Sequence, residues 1–210
     1  MKHLLSYLSL SLLVLPFLFF SCSKEAVAVS GSDELSAQST QTGELTDARA
    51  TYKTYLIEQG KHYADGKHFP LYSGKVLSFS AIFDSSAIYN FTDPKTKYDQ
   101  NTLYGFADNN QSHLNFSARF GWRWFNNELQ IAAYATNNGD STIVQIGSAP
   151  LGVAMNYKIA IVGNHYDFTF NGVTTSLPRA STTASAGRYK LLPYFGGDAV
   201  APQNITIKIK

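Results

Sequence analysis

The sequence predicts an all-β domain of two antiparallel sheets packed face to face, a β-sandwich running over residues 52–210. Three observations predict it. Apolar and polar residues alternate with period two in segment after segment from Tyr52 onward, the pattern of strands that bury one face. Turn-forming pairs separate those segments: Asn126-Asn127, Asn138-Gly139, Gly163-Asn164 and Asn171-Gly172, residues that tolerate the positive φ of a tight hairpin. Charged residues make up only 15% of the chain and aromatic residues 14%, where an average soluble domain is roughly 25% charged. The shortfall is filled by Tyr, Phe, Asn, Ser and Thr, which suits polar, aromatic sheet faces and excludes a helical bundle or a disordered chain.

Taken in order, residues 47–59 could start helically, but Thr51, Tyr52, Thr54, Tyr55 and Ile57 favour extension. Residues 76–84 form a strand with Leu77, Phe79, Ala81 and Phe83 on one face. Residues 85–100 are polar and aromatic without a period, a loop long enough to be a functional candidate. Residues 114–124 and 128–136 are two long strands joined through Asn126-Asn127. Further strands fall at 142–147, 156–162, 165–171, 187–195 and 203–209; in the last, Ile205, Ile207 and Ile209 point one way, Thr206 and Lys208 the other. About ten short strands make a sandwich or a barrel, and the lack of a fixed repeat disfavours a propeller or solenoid.

The first 51 residues read differently. Lys2 and His3 precede an apolar run over 4–20 that ends at Ser21-Cys22, the layout of a secretory signal. With the chain's one cysteine at the cut, residues 1–21 resemble a bacterial lipoprotein signal in which Cys22 becomes lipidated. An ordinary signal peptide, or an N-terminal membrane helix broken by Pro16, is the alternative. No Asp follows Cys22, so the resemblance implies a lipid anchor in the outer membrane of a Gram-negative bacterium. Residues 22–51 then form a flexible tether, being Ser-, Thr-, Ala-, Gly- and acid-rich with no aromatic. The tether has five acids against Lys24 and Arg49, net −3; from Tyr52 on, ten acids face fourteen Lys and Arg, net +4. The formal total of +2 thus hides a mildly basic domain on an acidic stalk. Nothing in it recruits nucleic acid, but it suits a polyanionic glycan.

Two segments carry candidate chemistry. In 117–124 a regular strand places Phe120, Trp122 and Trp124 on one face and Ser117, Arg119, Gly121 and Arg123 on the other. The two guanidiniums stand roughly 14 Å apart at about 3.4 Å per residue, with Gly121 leaving space between them, and arginine suits bidentate contact with carboxylate or sulfate. In 189–197 Lys190, Leu192 and Tyr194 share a face, while Pro193 implies an edge, a bulge or a strand end. On the neighbouring strand Tyr134 shares a face with Gln130.

An Arg-x-x-x-Arg strand, the Gln130-Ile131 step on the next, and the Tyr189-Lys190-x-x-x-Tyr194 strand together resemble the core of alginate-lyase-type polysaccharide lyases. The wider domain, closing on Ala201-Pro202-Gln203-Asn204-Ile205-Thr206-Ile207, resembles lipoproteins with a concanavalin A-like jelly roll. The resemblance implies a groove that binds a polysaccharide, lined here by Arg119, Arg123, Gln130, Tyr134, Lys190 and Tyr194. In that family a His and the last Tyr cleave a uronate polymer by β-elimination; carried over, Tyr194 and Arg119 are the catalytic candidates. The family's His position is Ala132 in this chain, so His113 or His165 would have to supply an imidazole from a neighbouring strand. Losing one partner of an acid/base pair forfeits about 10²–10⁴-fold in rate, which leaves carbohydrate binding as the expected function, an acidic polysaccharide being the class the basic domain suits. A lyase of altered site and a non-catalytic structural or adhesion module are the alternatives.

Other chemistries find less support. The lone cysteine excludes a disulfide framework and a cysteine metal site. His62, Asp65 and His68 lack an established metal spacing. No cofactor is expected, although Asp93, Asp99, Asp108, Asn109 and Asn110 are oxygen ligands that could hold a structural calcium ion in loops. No nucleophile elbow, phosphate loop or dinucleotide fingerprint occurs.

Overall fold

The computed structural model describes residues 51–64, 69–93 and 95–210. The signal segment, Cys22 and the tether up to residue 50 lie outside the described residues, as do Asp65 and His68. Among the described residues there are twelve strands and one short 3₁₀ turn, Ser85–Ala87. The strands are β1 (Lys53–Ile57), β2 (Leu71–Gly74), β3 (Val76–Phe83), β4 (Asn101–Ala107), β5 (Phe116–Phe125), β6 (Glu128–Asn137), β7 (Asp140–Ala149), β8 (Met155–Val162), β9 (His165–Phe170), β10 (Val173–Pro178), β11 (Ala186–Leu191) and β12 (Ile205–Ile209).

They form two six-stranded sheets, β1-β12-β3-β8-β9-β10 and β2-β11-β4-β5-β6-β7, with antiparallel neighbours throughout. The turns follow from asparagine chemistry. Asn126 and Asn127 both take left-handed φ, 54° and 61°, as do Asn138 with Gly139 and Asn171 with Gly172; paired positive φ is what a two-residue hairpin matched to strand twist requires.

Period-two alternation then fills the space between the sheets. Phe120 and Trp122 of β5 meet the first sheet, Phe120 at 5.0 Å from Tyr157 and 5.4 Å from Phe168, and Trp122 at 5.1 Å from Phe83. Each such ring contributes roughly 1.5–3 kcal/mol through burial, and each edge-to-face pair about 0.5–1.5 kcal/mol more.

Three strands escape the sequence reading, and each for a physical reason. β4 is buried along almost its whole length and carries a bulge between Thr102 and Tyr104; alternation marks only half-buried, regular strands. β2 is four residues long. β10 is mostly exposed, with only Leu177 buried. The strand predicted over 187–195 stops at Leu191, because Pro193 has no N–H to give the ladder.

Candidate functional site

Because β5 turns Ala118, Phe120 and Trp122 inward, Ser117, Arg119, Gly121 and Arg123 face outward from the second sheet. A cleft of about 430 Å³ opens on that face. Arg119, Tyr134, Thr102 and Leu191 contribute from the sheet; Tyr63, Phe69, Gln100, His113, Pro193 and Tyr194 contribute from the flanking loops.

Arg119 is the charged group of this cleft, and it is almost wholly buried. It stands opposite Tyr134 in the β5/β6 register, and its guanidinium carbon lies 3.7 Å from the Tyr134 ring centroid. Its Nη1 donates a long hydrogen bond of 3.4 Å to Ser117 Oγ, its Nε has no partner, and it pairs with no acid among the described residues. Desolvation pulls the guanidinium pKa down, opposed by Tyr134. Burial pushes the Tyr134 phenol up, but the Arg119 charge, with the polar neighbours Ser141 and Arg119, outweighs it and holds the phenol below its ordinary value. The ring thus supplies cation–π attraction that a buried guanidinium otherwise lacks.

His113 reaches the cleft from the loop between β4 and β5. Its backbone N–H donates to Tyr189 Oη at 3.1 Å, and its Nδ1 lies 3.0 Å from the same oxygen. Desolvation, with the Arg119 and Arg188 charges, lowers its pKa to about 4, so the imidazole is neutral at pH 7. Tyr194 bridges to Thr102 and to Tyr63, and its ring stacks on His62 at 5.3 Å. Burial, and Tyr63 beside it, raise the Tyr194 phenol. His62 is itself tied to the Phe195 carbonyl by Nδ1, 2.8 Å away.

Arg119, Tyr134, Tyr194 and His113 therefore converge on one cleft, and the other sequence-predicted residues do not. Lys190 lies on the opposite face: it pairs in register with core-facing Phe106, and its ammonium sits over the Tyr72 and Tyr104 rings. The ladder ends between Lys190 and Tyr194, so the even spacing that would put both on one face no longer applies. Arg123 and Gln130 do share the outer face, but they hold each other. Arg123 Nε donates to Gln130 Oε1 at 2.8 Å, and its Nη1 donates to the Tyr98 carbonyl at 3.2 Å. His165 begins β9 in the other sheet, exposed, so it is no partner for this cleft.

The space over Gly121 is taken as well. A Cβ there would come within 3.1 Å of Gln100 Oε1, so the glycine seats Gln100 rather than a ligand. Of the calcium candidates, Asp108 is committed to Arg179 at 2.8 Å, and Asp93 accepts from the Lys95 backbone N–H at 2.9 Å. No group of three or more His, Cys, Asp or Glu among the described residues could hold a metal ion.

Sequence reasoning missed Tyr63, Phe69 and Gln100, and gave Tyr189, quoted in the strand that carries the resemblance, no role of its own. A usable signal existed for one of them: Gln100 closes the long loop over 85–100 that length alone marks as functional.

No protein-family model matches the chain, and no curated protein matches it in sequence. Among solved structures the chain is similar to alginate lyase AlyC3, with a TM-score of 0.53 at 9% identity over 76% of this chain and 72% of that one. The fold is a jelly roll. It is also similar to a Bacteroides ovatus mixed linkage glucan GH16 protein in complex with product, with a TM-score of 0.50 at 12% identity over 75% of this chain and 78% of that one. The likeness is one of fold, the two-sheet concanavalin A-like sandwich, whose outer sheet face carries the cleft here.

Proposed function

We propose that this domain binds an acidic polysaccharide in the cleft lined by Arg119, Tyr134, Tyr194 and His113. The observation that carries this reading is Arg119, a buried guanidinium with no acid beside it among the described residues, facing an open cleft. A buried cation without a counter-charge is costly, and a ligand carboxylate would supply the missing charge with the bidentate geometry arginine favours. The aromatic rings of Tyr63, Phe69 and Tyr194 around it suit the apolar faces of sugar rings. The similarity of fold to proteins named as an alginate lyase and a GH16 protein supports a carbohydrate ligand without choosing its chemistry. The same reading has the domain tethered through residues 22–51 to a lipidated Cys22 in the outer membrane of a Gram-negative bacterium. Labelling with a fatty-acid probe, lost in Cys22→Ala, tests that part.

The experiment for the cleft is retention in gels cast with alginate or pectate against gels cast with the same polymer after its carboxylates are reduced to alcohols. Retention by the uronate polymer alone is expected. Equal mobility in both gels overturns the proposal.

A second reading is favoured by the convergence of His113, Tyr194 and Arg119 on one cleft. In a β-elimination the proton α to the uronate carboxylate leaves to a base, and the β C–O bond breaks with its electron pair passing to the leaving sugar oxygen. That oxygen takes a proton, and a conjugated C=C bond forms. Arg119 would neutralise the carboxylate, and Tyr194 or His113 would move the protons. Growth of ultraviolet absorbance during incubation with alginate, pectate or glycosaminoglycans would establish this reading over binding alone.

A further inference from the structure

The Tyr189 hydroxyl sits at a position that the acid-glycan reading does not use. Two nitrogen atoms of His113 converge on its oxygen: the backbone nitrogen at 3.1 Å and Nδ1 at 3.0 Å. The backbone nitrogen carries a hydrogen in every state, so it donates. The phenol has one hydrogen of its own, and the only arrangement that uses it within this cluster sends it to Nδ1. An imidazole that accepts at Nδ1 while neutral carries its hydrogen on Nε2. The alternative, with Nδ1 also donating to the phenol, puts two donors on one oxygen and gives the phenol hydrogen no protein partner among the described residues.

We infer that Tyr189 is a positioning residue that holds His113 as the neutral Nε2–H tautomer, making the imidazole a hydrogen-bond donor for an acceptor oxygen in the cleft rather than a proton acceptor. The inference rests on the acid-glycan reading for its ligand and names what that ligand must offer: a carboxylate or other acceptor oxygen within reach of both Arg119 and His113. It also bears on the elimination reading. An imidazole with Nδ1 occupied and Nε2 protonated has no free lone pair for the α proton, so His113 drops out as base and Tyr194 alone remains.

The surroundings hold this state in place. Arg119 of β5 and Arg188 of β11 repel a second proton, and the half-buried position disfavours charge. The rings of Phe69 and Tyr189 pack against the imidazole at 6.2 and 6.0 Å. Tyr134 and Tyr194 line the same cleft, and no acid is hydrogen-bonded or ion-paired to His113 among the described residues.

The test is nitrogen-15 NMR of the domain labelled at histidine, with the His113 resonance assigned by its loss in His113→Gln. The free protein is expected to show a pyridine-type Nδ1 and a protonated, pyrrole-type Nε2 for His113, unchanged from pH 8 to pH 5. In Tyr189→Phe the two tautomers are expected to mix and the titration to move up toward the ordinary histidine value, while uronate-polymer retention falls about three- to tenfold, the worth of one neutral hydrogen bond. A pyrrole-type Nδ1, or a His113 that titrates at the ordinary histidine value in the wild-type protein, overturns the inference; should His113→Gln fail to fold, sequential backbone-to-ring assignment identifies the resonance instead. If the tautomer is as stated but no uronate polymer is retained, the glycan reading falls and the positioning role stands.

Discussion

Two arginines of this domain are equally buried, each 7% exposed, and they are treated in opposite ways. Arg179 is fully engaged. Its Nε and Nη2 donate to the two oxygens of Asp108 at 2.8 and 3.2 Å, and Nη2 also donates to the Thr183 carbonyl at 2.6 Å. Tyr166 donates to the same carboxylate at 2.6 Å. Asp108 follows β4 in one sheet, whereas Tyr166 lies on β9 of the other and Arg179 follows β10, so the cluster ties the two sheets together. Arg119 has a 3.4 Å hydrogen bond to Ser117 and the face of Tyr134. A desolvated cation–π contact is worth about 2 kcal/mol, whereas desolvating an ion costs several kcal/mol. One arginine serves the fold; the other is a local expense that makes sense when something enters the cleft.

The sharpest way to break this comparison is to unpair the first cluster. Asp108→Asn leaves Arg179 buried without a counter-charge, and a loss of about 3–5 kcal/mol is expected, read as a fall in the denaturation midpoint. If the loss is under ~1 kcal/mol, the cluster is not the inter-sheet tie described above.

Next in size is Arg119→Met, which keeps the stem and removes the charge. Uronate-polymer retention is expected to fall roughly ten- to hundredfold, the range of a hydrogen bond to a charged group. Thermal stability is expected to hold or rise, because an uncompensated charge has gone. A variant that loses stability as Asp108→Asn does would make Arg119 a structural residue and end the contrast.

The same contrast shows how far the sequence could be read. Alternation in β5 and β6 put Arg119 and Tyr134 on one outer face, and the register pairs them directly. The hairpins at Asn126-Asn127 and Asn171-Gly172 were legible because positive φ is a local demand. β4 was not, since a strand buried on both faces and broken by a bulge has no period to find. His113 was legible only as one of two histidines that could supply an imidazole from a neighbouring strand; it reaches the cleft through a loop instead, pinned by the Gln111 and Asn115 backbone bonds and by Tyr189, all of them non-periodic contacts. The commitment of Asp108 to Arg179, 71 residues away in the chain, is a tertiary fact that no local pattern announces.

A smaller effect separates the two regions by pH. The folded pKa of His113 is lowered, from 6.5 to about 4, so the unfolded chain takes up its proton first as pH falls. Stability is therefore lost progressively between about pH 6.5 and pH 4 through this residue. Asp108 acts lower. Burial raises its pKa, but the hydrogen bonds from Arg179, Tyr166 and Asn109 and the Arg179 charge bring it below 3.8. Its contribution is present above the ordinary carboxylate value and is lost as pH falls through the folded one. His113→Gln is expected to flatten the denaturation midpoint across the upper window only. A wild-type midpoint that does not change between pH 6.5 and pH 4 would place His113 in solvent.

The smallest expected effect tests the geometry of the face itself. Lys190 is the cation that sequence spacing put beside Tyr194, yet it lies under the sheet, with its ammonium 5.7 and 5.9 Å from the Tyr72 and Tyr104 ring centroids. Lys190→Met keeps most of the side chain's bulk and its contact with those rings. Removing a half-buried cation–π pair costs about 0.5–1 kcal/mol, a small shift in the denaturation midpoint. Retention by uronate polymer is expected to stay within twofold of wild type, because no atom of Lys190 lines the cleft. A fall as large as that of Arg119→Met would mean that the strand after Ala186 keeps its parity through Pro193 in solution, bringing Lys190 and Tyr194 back to one face and the binding surface with them.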